Sequence, residues 1–207
     1  NRKHEVKGWH DAYREFYGQV GQIRERIQAG ESISQSDEAF LKQLLYEKSN
    51  GIASRGQSVL SNENFLSFIK DKDFISSLEQ FILTPTKDAF RKFEDAWSAQ
   101  GKSNNPVLVN RVAAACTLEV STTVDSGKFN QVFSWLIREG IVPTYPAEKD
   151  QDWFSKNLFL LKIIKDEFSD ELQDKKTDEF YLSQFVCLLY DNLSNPFSLK
   201  KQIVKYG

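Results

Sequence analysis

The sequence predicts an all-α, multi-helix protein of about nine helices with at most one or two short strands, and three observations predict it. Apolar residues recur at threes and fours along most of the chain rather than at twos. Ser, Thr, Asp or Asn precedes most of these runs, twice with Pro directly after it, and Gly or Asn follows several of them.

Trp9, Tyr13, Phe16, Tyr17, Val20 and Ile23 form the stripe of a first long helix that ends near Ala29-Gly30. Ser36 is placed to cap the second, with Asp37 and Glu38 in its first turn and Phe40, Leu41, Leu44 and Leu45 on its apolar side. Asn50-Gly-Ile-Ala-Ser-Arg-Gly56 then breaks the pattern and reads as an ordered loop. Ser61 caps a helix bearing Phe65, Phe68 and Ile69, and Phe74, Leu78, Phe81 and Ile82 mark another. Thr84-Pro85 supplies a cap and a first-turn proline to a helix that buries Phe90, Phe93 and Trp97 and stops near Gly101.

Asn105-Pro106 repeats that signal ahead of Val107, Leu108, Val109, Val112, Ala113 and Cys116, a helix apolar nearly all round and therefore central. Leu118, Val120, Thr122 and Val124 alternate, which fits either a short strand or an extended connector. Asp125-Ser-Gly leads into a helix with Phe129, Val132, Phe133 and Leu136 on one face and Trp135 roughly opposite Phe133, ending at Gly140. Pro143-Thr-Tyr-Pro146 is a loop. Asp150 is read as the cap of the helix carrying Trp153, Phe154, Leu158, Leu161, Ile164 and Phe168, and Thr177 as the cap of the last, with Phe180, Phe185, Leu188 and Leu189.

These signals divide the chain into an N-terminal helical lobe at 1–101, a C-terminal helical lobe at 102–196, and a segment at 197–207. The last nine residues, Leu199-Lys-Lys-Gln-Ile-Val-Lys-Tyr-Gly207, read as a β-branched stretch running into glycine. Two readings fit it: a tail or edge strand, or the strand that leads into a phosphate-binding loop.

Composition narrows the function classes. At 40% hydrophobic and 27% charged, the chain has the make-up of an ordinary globular protein, and no apolar run approaches a membrane span. With no signal peptide at its start, a cytoplasmic location without membrane contact is expected. There are 16 Phe and no Met, which favours shape-specific aromatic packing over an adaptable surface. The net charge is −2, and residues 143–198 hold six basic against eleven acidic side chains, so no long basic face emerges and the sequence argues against strong nonspecific nucleic-acid binding. A small basic patch near Arg24, Arg26 or Arg111 remains open.

No catalytic signature is present: the chain lacks Gly-x-Ser-x-Gly, His-Glu-x-x-His, Cys-x-x-Cys and Gly-x-Gly-x-x-Gly. Cys116 and Cys187 lie in apolar helical stretches and read as free thiols, and His4 and His10 do not share a helix face. The acidic pairs Asp166-Glu167 and Asp170-Glu171 read as a solvated helix end, and the four tryptophans as core. No metal ligands or cofactor are assigned to these residues. Two segments fit the core pattern less well. Arg55, Gln57 and Ser58 sit in the glycine-bearing loop at 50–61, and Asn110-Arg111 interrupts the apolar helix. Each is either a set of internal ties or a patch that faces a ligand or DNA, because buried polar groups need partners.

The stretch Asn50-Gly-Ile-Ala-Ser-Arg-Gly-Gln-Ser-Val-Leu-Ser61, the run from Asn110-Arg-Val-Ala-Ala-Ala-Cys116 through Lys128-Phe-Asn-Gln-Val-Phe-Ser-Trp-Leu136, and Trp153-Phe-Ser-Lys-Asn157 together resemble the helical region ahead of the AAA+ motor in McrB-like proteins of modification-dependent restriction systems. Ile203-Val-Lys-Tyr-Gly207 is similar to the strand that leads into that motor's P-loop. The resemblance spans residues 40–207. It implies a parent NTPase that assembles into a ring, hydrolyses GTP or ATP, and acts on DNA with a separate nuclease subunit in phage defence. Nucleotide and Mg would belong to the following domain, and no catalytic residue carries over to this chain. The region ahead of the motor would then be a recognition or accessory module, touching DNA weakly and protein partners more extensively. A free-standing helical interaction module is the other reading of the same composition.

Overall fold

The computed structural model describes residues 2–101, 105–173 and 178–194. They form two compact units that divide between Leu118 and Glu119. The expected all-α class is what is found. Among the described residues there is no strand, only an isolated antiparallel bridge between Ser49 and Ser54. The proposed strand at 203–206 and the Thr177 cap lie outside the described residues.

In the first unit, α1 (Arg2–Gln28) buries Tyr13, Phe16, Val20 and Ile23 and is closed by Gly30 at φ 90°. The Gly30 amide donates to Ile27 and the Glu31 amide to Arg26, so the last carbonyls of the helix are satisfied. The next helix does not begin as the sequence suggests. Ser36 is not its cap; Asp37 occupies that place and accepts from the Ser34 amide at 2.9 Å, ahead of α2 (Glu38–Leu41). The short Asp37 carboxylate reaches back to close a tight turn, within which Ser36 bonds the Ser34 hydroxyl instead of a helix amide. The helix then widens over Lys42–Tyr46 into a π-helical turn, with the Glu47 amide donating five residues back to Lys42 at 2.9 Å.

Next come α3 (Asn62–Lys70), α4 (Lys72–Leu83) and α5 (Lys87–Ala99). Ser61 caps α3 as expected, its hydroxyl accepting from the Asn64 amide at 3.1 Å. Asp71 caps α4 through the Phe74 amide at 2.7 Å. The cap of α5 is Thr86, not Thr84, so Pro85 stands outside the helix. Phe68, Phe74, Phe93 and Trp97 build an aromatic core between these three helices, with Phe68 edge-on to Trp97 at 4.8 Å.

α6 (Pro106–Cys116) starts with proline in its first turn, and every residue from Leu108 to Cys116 is buried. This helix sits within the first unit. The Tyr13 hydroxyl donates to the Ala114 carbonyl at 3.2 Å, and Arg24 Nη2 donates to the Cys116 carbonyl at 2.6 Å. The division expected after Gly101 is therefore found beyond α6, because a helix apolar on all sides has to be surrounded, and α1, α5 and the Lys42–Tyr46 turn surround it.

The second unit contains α7 (Ser126–Arg138), α8 (Trp153–Glu167), α9 (Ser169–Gln173) and α10 (Glu179–Ser194), with α7 packed on both α8 and α10. Asp125 caps α7 through the Lys128 amide at 3.0 Å. The cap of α8 is Asp152 rather than Asp150, which lies in a single 3-10 turn just ahead. Phe129, Val132, Phe133 and Leu136 are buried and Trp135 is half-exposed, as their spacing requires.

The alternating segment at 118–124 is a connector and not a strand. With no neighbouring strand to pair with among the described residues, its backbone is held by side chains and a helix carbonyl. The Ser121 amide donates to Asn157 Oδ1 at 2.8 Å, the Thr122 amide to the Ser183 carbonyl at 2.9 Å, and Trp153 Nε1 to the Thr123 carbonyl at 3.0 Å. No described helix is long and apolar enough to cross a membrane.

Candidate functional site

The five residues singled out by sequence fall on one loop and one helix of the first unit. The loop at 50–61 is ordered by local bonds: Asn50 Oδ1 accepts from the Ile52 and Ala53 amides at 3.2 and 3.1 Å. Gly51 turns the chain at φ 82° directly against α1, where a Cβ would stand 2.7 Å from the Ala12 carbonyl oxygen. Trp9 Nε1 donates to the Ile52 carbonyl at 3.0 Å and fixes the same turn from the side of α1.

Beyond that anchor the chain rises to the surface. Gly56 and Gln57 are exposed, Ser58 is half-buried, and Val59 is 64% exposed, the highest value among the large apolar residues described. Arg55 folds back. Its amide donates to the Lys48 carbonyl at 2.9 Å, and its guanidinium lies 5.7 Å from the Tyr46 ring centroid, a cation-π approach. Its Nη1 is buried and has no hydrogen-bond partner among the described atoms.

Arg111 is completely buried on α6. Nη1 donates to the Glu47 carbonyl at 2.7 Å and Nη2 to the Leu44 carbonyl at 3.1 Å, while Nε has no partner. These carbonyls end the Lys42–Tyr46 turn, where the chain leaves the helix at Glu47 with ψ 153° and can no longer bond them internally. A cation at a helix C-terminus also meets the negative end of its dipole. Burial first, and then the neighbouring Arg55 charge, push the Arg111 pKa down to about 10, with Glu47 opposing.

The reading of Asn110 and Arg111 as contacts at the surface is thus corrected. Both are buried, and Arg111 is an internal tie between α6 and the turn at Lys42–Tyr46. The wider basic patch is corrected as well. Arg24 is spent on two helix ends, with Nε donating to the Ile82 carbonyl at 2.7 Å and Nη2 to Cys116 at 2.6 Å. Arg26 is paired with Asp37 at 2.6 Å and Glu31 at 2.8 Å. Of the basic residues named from sequence, only Arg55 reaches the exposed part of the loop, together with Gln57 and Ser58.

The structure also gives Arg24 and Asn157 a role as internal ties that the sequence did not assign to them. Arg24 lies four residues after Val20 and Asn157 four after Trp153, so each charged or polar side chain stands on an apolar face. That misplacement is the signal that could have identified them as ties. Asn157 Nδ2 donates to the Trp153 carbonyl at 2.8 Å while its Oδ1 holds Ser121.

Cys116 is buried and its thiol is pushed up to about 12 by desolvation, with Arg24 acting weakly against that; Cys187 is also raised by burial first. Neither is poised as a nucleophile. Among the described residues, no group of three His, Cys, Asp or Glu side chains is arranged to hold a metal ion. No protein-family model matches the chain, and neither does any curated protein or solved structure.

Proposed function

We propose that this chain is a helical recognition or accessory module of a McrB-like AAA+ NTPase in a modification-dependent restriction system. One observation supports this reading above others. The distinctive polar residues of the segments that carry the resemblance are spent on internal ties: Asn50 closes its turn, Arg111 holds Leu44 and Glu47, and Asn157 holds Ser121 and Trp153. Motif residues that build a scaffold suit a module that positions other parts, whereas a reaction centre would aim such groups into a shared cleft.

In this reading the module itself carries no reaction. Hydrolysis of GTP or ATP, and the Mg it requires, belong to the domain that follows, and DNA cleavage belongs to a separate nuclease subunit. Contact with DNA is weak, because the net charge is −2 and the arginines of the basic patch, Arg24, Arg26 and Arg111, are all occupied within the fold. The principal partners are proteins: ring neighbours or the nuclease subunit. The exposed Val59, next to Gln57 and Ser58, gives the loop a mixed apolar and polar tip of the kind that interface centres use.

The sequence encoded directly after Gly207 tests the assignment. A glycine-rich turn followed by Lys and Ser or Thr, within a few residues, is the expected result. A different continuation, or none, would overturn it in favour of a free-standing interaction module.

A further inference from the structure

We draw no further inference here: the strongest candidate, the half-exposed apolar face of α10 formed by Phe185, Leu188 and Leu189 beside Phe168 at the end of α8, supports no proposal because nothing in the structure shows what covers it.

Discussion

The guanidinium of Arg111 donates to the carbonyl oxygen of Glu47 across 2.7 Å, inside the core of the first unit. With its second bond to Leu44 at 3.1 Å, it fastens α6 to the end of the π-helical turn, where two carbonyls have lost their helical donors. Arg111→Lys keeps the charge and loses the fork, so one carbonyl is left unpaired. A loss of about 1–3 kcal/mol in urea denaturation is expected. An unchanged midpoint and slope would show that the tie contributes nothing.

Gly51 and Gly56 both lie at positive φ, at 82° and 59°, but they differ in what surrounds them. A Cβ at Gly56 meets nothing within 4 Å, so Gly56→Ala carries only the left-handed backbone cost of about 1–2 kcal/mol. At Gly51 the same Cβ would approach the Ala12 carbonyl oxygen to 2.7 Å, and backbone cannot swing aside. Gly51→Ala should therefore be clearly the more destabilising of the two. Equal losses in parallel denaturation curves would mean that the loop moves off α1 without cost.

Phe133 and Trp135 separate the two sides of α7. Phe133 is buried against Phe129, 5.7 Å away between centroids, whereas Trp135 is half-exposed. Phe133→Ala should cost about 3–5 kcal/mol, and Trp135→Ala distinctly less. A loss below about 1 kcal/mol for Phe133→Ala would show that the face has been assigned wrongly.

The Arg26 guanidinium beside Asp37, aided by the Ser34 amide, holds the Asp37 carboxyl below its ordinary value. The native pKa is lower than the unfolded one, so the unfolded chain binds more protons as the pH falls. The contribution is complete above about pH 4 and is lost as pH drops through the lowered native value. Comparing acid unfolding of the wild type with Asp37→Asn isolates it: the variant should be less stable at pH 7, and the difference should shrink below about pH 4. A gap that stays constant across that range would remove Asp37 from the acid response.

The helices were legible because their faces obey a period that burial imposes, and Phe65, Phe93, Phe133 and Leu161 all lie where the spacing put them. Caps were harder to place. Thr86 and Asp152 act two residues beyond the residues chosen from sequence, since any short polar side chain near a helix start can reach a free amide, and Asp37 takes the cap position one residue beyond Ser36 without a side-chain bond to the helix. The connector at 118–124 has the alternation of a strand, yet pairing depends on a neighbour that local sequence does not encode. Arg24 and Arg111 were visible as charges on apolar faces, but the carbonyls they hold lie 58 to 92 and 64 to 67 positions away in the chain. Arg55 was legible in kind through its glycine-bearing loop, while its approach to the Tyr46 ring arises only from the fold.

The central claim is that the fold consumes Arg24, Arg26 and Arg111 internally, so that the proposed contact with DNA falls to the loop that carries Arg55. A fluorescence titration with methylated and unmethylated duplexes, at two salt concentrations, on the wild type and Arg55→Ala tests it most directly. The account predicts weak binding that falls as salt rises and disappears in Arg55→Ala, because few phosphates are neutralised and Arg55 neutralises the first of them. Tight binding that survives both the rise in salt and the loss of Arg55 would contradict it and place recognition on another surface.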